Sequence, residues 1–354
     1  MNSLLSTLTE LTRKFGSADY VKGGGGNSSV KTDDTIWVKP SGSTMGTISA
    51  ERFVELDRAG IKRMDEVSVT GDADKREALA KDIMTAAVKP GSKGRPSVET
   101  PLHNLFETAF VIHTHPVLVN GMTCAKNGEE VCKKLFPQAL WMGYIDPGIT
   151  LYQSVRDKVA EYQAEFGKQP EVVFLKNHGV FVAADTPERI EEVYNNIFSV
   201  LTAEYEKAGI SMTLNENEIA LNPQDIAAFK EAFPAEEMQS VICEKYFELA
   251  DGPISPDHIV YMKSFVHKGE ISAGSITEFK AANGYFPKLL GADDVVYSIG
   301  PNSSAAFLAL ELAKDGALIM QLSEAFGGVN YLDDAARDFI ENWEVESYRR
   351  KQMA

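Results

Sequence analysis

Pro96-Ser97-Val98-Glu99-Thr100-Pro101-Leu102-His103-Asn104-Leu105-Phe106-Glu107-Thr108-Ala109-Phe110-Val111-Ile112-His113-Thr114-His115-Pro116 decides both the fold and the chemistry. Its first half predicts a helix start, because Thr100 can cap and Pro101 suits the first helical position. Glu99 stands just ahead of that start. Its second half, Ala109 to Ile112, is a short apolar run of the kind that forms a buried strand. Residues two apart on a strand share a face, so His113 and His115 aim two imidazoles at one place. Pro116 ends the ladder there. Two buried imidazoles side by side are costly unless something uses their nitrogens, and a metal ion would.

Upstream, helical spacing of Leu4, Leu5, Leu8, Leu11 and Phe15 predicts an amphipathic first helix. Four glycines, Gly23 to Gly26, then lead into Asn27-Ser28-Ser29-Val30-Lys31. That segment pauses at Thr32-Asp33-Asp34 and resumes as Thr35 to Lys39, the pattern of a hairpin. Pro40-Ser41-Gly42-Ser43-Thr44 is a second loop of small residues, and two such loops could gather N–H and O–H donors around an anion. They could equally be two plain turns, and neither matches a dinucleotide or Walker pattern. Helices are expected over 51–64, 76–88, 129–135, 151–166 and 187–208, and strands over 65–69, 171–176 and 180–183. Short strands mostly joined without helices point to an α+β fold with a largely antiparallel sheet and helices on its faces. A polar stretch over 210–225 predicts a boundary between a domain of residues 1–212 and a smaller α/β module of residues 224–354. In that module helices are expected over 224–232 and 235–249, strands over 258–264 and 294–299, and helices from Pro301 to the end. No internal repeats are expected, and no low-complexity tracts beyond the four glycines.

The net charge of −16 repels polyphosphate backbones, which argues against a nucleic-acid partner. Three cysteines without a C-x-x-C pair read as free thiols in a reducing compartment. No run approaches the roughly 18 apolar residues of a membrane span, and the amino terminus lacks the continuous apolar core of a signal peptide. The expected location is therefore cytoplasmic, with no membrane partner.

His178, in Asn177-His178-Gly179 after a candidate strand, can reach the His113/His115 pair if the strands are neighbours. Three neutral imidazoles with an open position are what a catalytic zinc site needs. The alternative is three core histidines, each with one hydrogen bond. Glu99 is either a general base beside the metal or a carboxylate held by the helix dipole. His103 lies four residues on, on the same helix face, as support for the site or as core. His267, Lys31 and Lys39 are read as surface residues, and His258 is left open.

These residues together resemble the class II aldolase/adducin family. The matching pieces are Gly26-Asn27-Ser28-Ser29, Ser41-Gly42, Ser97-Val98-Glu99 with His103, His113-Thr114-His115-Pro116, and Asn177-His178-Gly179. The resemblance covers roughly residues 1–210. It implies a three-layer αβα fold, a Zn2+ ion (or Mn2+ or Co2+) on His113, His115 and His178, and Glu99 as acid and base. It also implies a phosphorylated sugar as substrate, with its phosphate at Asn27, Ser41, Gly42 and Ser97, and a homo-tetramer. Residues 252–258 and 342–349 resemble the segment following the aldolase domain in bifunctional rhamnulose-phosphate aldolase/lactaldehyde dehydrogenases. The chain stops before a dinucleotide domain, so NAD binding is not expected. Two departures bear on the substrate: Val98 replaces a second serine, and the interval from Glu99 to His113 is shorter than in fuculose-phosphate aldolase. The activity implied is metal-dependent retro-aldol cleavage of a ketose 1-phosphate to dihydroxyacetone phosphate and an aldehyde. The alternatives are a sugar-phosphate 4-epimerase on the same site, a non-catalytic adducin-like scaffold, and a metallohydrolase. The joint presence of Glu99 and three histidines argues against the scaffold, and the lack of a further Asp cluster argues against the metallohydrolase.

Overall fold

The computed structural model describes residues 3–68, 70, 73–214, 223–292 and 294–343. The chain divides into two compact units, one of residues 1–119 and 127–201, the other of residues 120–126 and 202–354. The expected boundary stretch lies partly on residues 215–222, outside the described residues, as do 344–349 of the carboxyl-terminal resemblance.

The first unit runs α1 (Ser3–Lys14), β1 (Asn27–Lys31), β2 (Thr35–Val38), β3 (Val54–Asp57), α2 (Arg58–Lys62), α3 (Ala73–Ala87), α4 (Thr100–Leu105) and β4 (Phe110–Thr114). The chain continues through α5 (Val117–Thr123), α6 (Gly128–Leu135), β5 (Leu140–Met142), α7 (Ile149–Phe166), β6 (Val172–Leu175), β7 (Gly179–Ala184) and α8 (Pro187–Lys207), with 120–123 of α5 and 202–207 of α8 counted in the second unit. Its sheet has the order β3-β2-β1-β4-β7-β6-β5, antiparallel except for the last pair. This is the α+β fold the sequence implies, with β4 at the centre of seven strands. One face of the sheet, with Val111, Val173, Phe181 and Ala183, is sealed by Leu102 and Phe106 of the α4 region and by Tyr152 and Val155 of α7. On the other face Tyr194 of α8 reaches Thr114 Oγ1 at 2.7 Å.

Two expectations fail here. Residues 51–64 are not one helix: Val54–Asp57 extends the sheet by pairing with β2, and the Asp57 side chain then caps α2 by accepting from Gly60 N–H at 2.6 Å. Apolar Val54 and Leu56 alternate over only four residues, too few to outvote the helical spacing that follows. Residues 63–66 form a 3-10 turn rather than the start of a strand, and Val69 lies outside the described residues.

The second unit holds α9 (Pro223–Ala232), β8 (Ser240–Lys245), α10 (Pro256–Met262), β9 (His267–Lys268), α11 (Ala273–Asn283), β10 (Leu289–Ala292), β11 (Val295–Gly300), α12 (Ser303–Ser323) and α13 (Asp334–Asn342). Its sheet has the order β8-β11-β10-β9. The helix expected over 235–249 is instead strand β8, paired with β11 along its whole length. The strand expected over 258–264 is instead helix α10, opened by Ser255 and Pro256 and buried at all seven positions. Burial on every side erases the alternation that tells helix from strand, and β-branched Ile259 and Val260 tip the reading the wrong way. His267 is also buried, on β9, not on the surface. No described helix is long and apolar enough to cross a membrane.

Candidate metal centre

β4 delivers His113, the residue just past its end delivers His115, and the turn between β6 and β7 delivers His178. β4 pairs with β7, placing His113 opposite Phe181, and the two rings stack at 4.0 Å with 10° between planes. β6 and β7 close a tight hairpin in which Leu175 faces Gly179. Asn177 turns the corner at φ 53°, a left-handed conformation that asparagine tolerates, and this throws His178 toward β4. Gly179 allows the close approach, because a Cβ there would lie 2.3 Å from Thr114 O and 2.7 Å from His115 Cδ2. Gly26 does the same from β1's side: its φ is 69°, and a Cβ would meet His113 O at 2.9 Å.

His113, His115 and His178 offer nitrogens that all lie within 4.8 Å of one another. His113 Nε2 is 3.0 Å from His115 Nε2 and 3.4 Å from His178 Nε2. The His113 Nδ1–H donates to Val180 O at 3.0 Å, which leaves the Nε2 lone pair of the neutral ring aimed into the cluster. Nitrogens about 2.05 Å from a tetrahedral zinc ion would stand about 3.3 Å apart. Three converging imidazole nitrogens at this spacing fit a divalent cation, and a fit is the reading these distances favour over separate core histidines.

Glu99 stands over the cluster. Its Oε1 is 3.2 Å from His113 Nε2 and 3.7 Å from His178 Nε2, and that oxygen has no hydrogen-bond donor of its own. Its Oε2 accepts from Asn27 Nδ2 at 3.3 Å. Burial alone would push this carboxyl up, but in the metal-free protein the charge of His113, His178 and His115, present only while those rings are protonated, outweighs it and holds the group well below the usual carboxylate range. A buried carboxylate with one oxygen bonded and the other facing three imidazoles is equipped to move a proton. Glu99 itself takes the residue position before α4, and Thr100 Oγ1 donates backward to Ser97 O at 2.7 Å rather than capping the helix.

The other expected site residues sort by contact. Asn27 Nδ2 also donates to Ser97 Oγ, and Ser97 Oγ accepts from Glu99 N–H at 3.2 Å. Asn27 is held opposite His113 by the β1–β4 register. The Ser41-Gly42 loop joins the same neighbourhood through Ser41 N–H, which donates to Arg95 O at 2.9 Å. His103 is fully buried one turn beyond Glu99, with Nδ1 2.8 Å from Ser29 Oγ. Burial drives its pKa well below that of a free histidine, against the pull of Glu99, so it is neutral. It props the helix that carries Glu99. Lys31 and Lys39 are not surface residues: both are buried, and Lys39 Nζ donates to Ser43 O at 2.7 Å, fastening the Ser41-Gly42 loop. Sequence reasoning missed that role, although the alternation of the hairpin puts Lys39 in phase with Trp37 and Thr35. It also missed Val180, whose carbonyl sets the tautomer of His113 and which no side-chain pattern could announce.

Known proteins are similar to parts of this chain. The B. subtilis (strain 168) protein named uncharacterized oxidoreductase YuxG is 29% identical over 175 residues, covering 47% of this chain and 24% of that protein. L-fuculose phosphate aldolase of Methanocaldococcus jannaschii is 27% identical over 179 residues, covering 48% of this chain and 78% of its own. The 3-oxo-tetronate 4-phosphate decarboxylase of Haemophilus influenzae is 27% identical over 203 residues, covering 54% and 86%. Among solved structures, the N-terminal class II aldolase domain of a conserved Thermoplasma acidophilum protein is 26% identical, covers 57% of this chain and 94% of that one, and superposes with a TM-score of 0.48. The model of the class II aldolase and adducin N-terminal domain matches residues 6–202, the stretch that contains every side chain of the cluster. The chain therefore belongs to the class II aldolase/adducin family.

Proposed function

We propose that the chain is a zinc-dependent lyase that cleaves a ketose 1-phosphate to dihydroxyacetone phosphate and an aldehyde. The observation that carries this reading is Glu99, held at Oε2 by Asn27 while Oε1 faces the three imidazoles. A divalent ion on His113, His115 and His178 would supply the positive charge that stabilises an enediolate. Mn2+ or Co2+ would suit the same donors. Everything else falls to the chain. In the condensation direction the ionised Glu99 takes a proton from the carbon beside the ketone of dihydroxyacetone phosphate. In cleavage the hydroxyl on the far carbon loses its proton to solvent as its carbonyl forms, the carbon–carbon bond breaks with its electron pair left on the ketone-side carbon, and the Glu99 carboxyl returns a proton there. Asn27, Ser41, Gly42 and Ser97 receive the phosphate, their loops joined through Ser97 and Arg95. We expect a homo-tetramer in the cytoplasm.

A second reading, decarboxylation of a phosphorylated 3-oxo acid, has the H. influenzae relative in its favour and needs the same charge stabilisation. The test is a screen of phosphorylated and free ketoses and 3-oxo acids with metal-loaded protein. Dihydroxyacetone phosphate and carbon dioxide are measured separately, before and after full chelation. Dihydroxyacetone phosphate release that vanishes with the metal supports the aldolase. Carbon dioxide without it selects the decarboxylase, and release that survives metal removal ends both.

A further inference from the structure

The second unit repeats the site-bearing part of the first, strand for strand. In the first unit β4 pairs antiparallel with β7, β7 antiparallel with β6, and β6 parallel with β5. In the second, β8 pairs antiparallel with β11, β11 antiparallel with β10, and β10 parallel with β9. The hairpins differ by one residue: Leu175 faces Gly179 across the first and Ala292 faces Val295 across the second. Counting from those pairs, Val173 meets Leu140 in one sheet, and its counterpart Leu290 meets His267 in the other. β7 and β11 are each 6 residues long, and the helices that follow them, α8 and α12, are each 21.

The helices follow suit, except that α10 alone stands where α5 and α6 stand in the first unit. α4 and α7 cover the face of Val111, Val173, Phe181 and Ala183. α9 and α11 cover the face of the corresponding Val241, Leu290, Tyr297 and Ile299, through Phe229 and Ile276. The strand order, the orientation of every pair and the face that each helix pair covers are the same in both units.

We infer that residues 223–323 are a degenerate second copy of the segment 100–207, with the metal pocket filled in. The register puts Cys243 where His113 stands and Lys245 where His115 stands. Val295 occupies the place of Gly179, where a Cβ would crowd an imidazole at the position of His115 to 2.7 Å. Cys243 packs against the aromatic cluster of the second unit, and Phe229 meets Tyr297 edge-on at 5.1 Å. Tyr297 is tied down through its hydroxyl, which donates to Asp225 at 2.8 Å. Among the described residues the second unit contains no cluster of three metal-ligating side chains. Among the described residues, the chain has a single candidate metal centre.

The test rebuilds the pocket in the full chain. His113→Ala and His115→Ala first remove the native site. Cys243→His, Lys245→His, Val295→Gly and Phe229→Ala are then added, with Asp293-Asp294 replaced by the sequence of Lys176-Asn177-His178. Cobalt(II) is titrated and followed by visible absorption. The expected result is no cobalt in the background protein and a single tetrahedral cobalt per chain in the rebuilt one. Absence of binding in a rebuilt protein that still melts cooperatively overturns the inference. Should the rebuilt protein not fold, a crystal structure of the natural chain decides. The pairs Leu290–His267 and Cys243–Tyr297 must hold, and a one-residue slip in either refutes the equivalence.

Discussion

Replacing Gly179 by alanine tests the metal centre without reference to any substrate. The added methyl would lie 2.3 Å from Thr114 O and 2.7 Å from His115 Cδ2, where ordinary contacts begin near 3.4 Å. The first of those atoms belongs to the backbone of the central strand, so it cannot swing aside as a side chain would. β4 and β7 must separate by about 1 Å at their site end, against a tolerance of about 0.2 Å in metal–ligand distances. Overpacking of this kind costs about 1–3 kcal/mol of stability. The displacement of His115 and His178 should weaken zinc affinity at least as much as loss of an orienting partner does, about 10–100-fold. Competition with a chromophoric chelator measures the affinity, and thermal unfolding of the metal-free protein measures the stability. If Gly179→Ala binds zinc as the natural chain does and melts at the same temperature, the close approach of β4 and β7 does not set the geometry of the metal centre.

Glu99→Gln should keep stoichiometric metal and lower turnover about 10²–10⁴-fold, since it removes a general base but no imidazole; metal analysis beside the product assay separates the two. Asn27→Ala should lower turnover with metal content unchanged, because it frees Glu99 Oε2 and Ser97 Oγ. Stripping the metal should lower the melting temperature, and re-adding zinc at 100 times its dissociation constant should restore about 2.7 kcal/mol. Burial, with Arg58 adding to it and Asp185 opposing, pushes Lys31 down to about 7. Its folded pKa is thus below its unfolded one, so the chain loses stability as pH falls from about 10.5 to about 7 on this account. Lys31→Met should flatten that slope in denaturant titrations at several pH values; an unchanged slope would exclude a buried, partnerless ammonium.

The site was more legible than the frame around it, and the reason is period. His113 and His115 are two apart on a strand whose apolar run is plain, so their common face follows from strand geometry alone. His178 required only that its strand neighbour β4, which the sheet order provides. The second unit defeated the same reasoning. Val241, Ile242 and Cys243 gave no clear alternation because every residue of β8 is half-buried, and α10 is buried all round. Lys31 and Lys39 were misjudged for a different reason: composition assigns lysine to solvent, and only the packed sheet reveals an aliphatic stem used as core. The structural repeat was invisible because its sequence keeps the apolar positions and discards the ligands.

The sheet order has a consequence for how the ion would be held over time. Three strands flank β4 on each side, so the strand that carries His113 and leads directly into His115 is the farthest from any fraying edge. Ligands rooted there stay in formation while peripheral segments open and close. Release of the cation should then proceed by stepwise bond breaking into a standing cage. Its rate would be indifferent to mild urea and would climb only where the whole unit unravels.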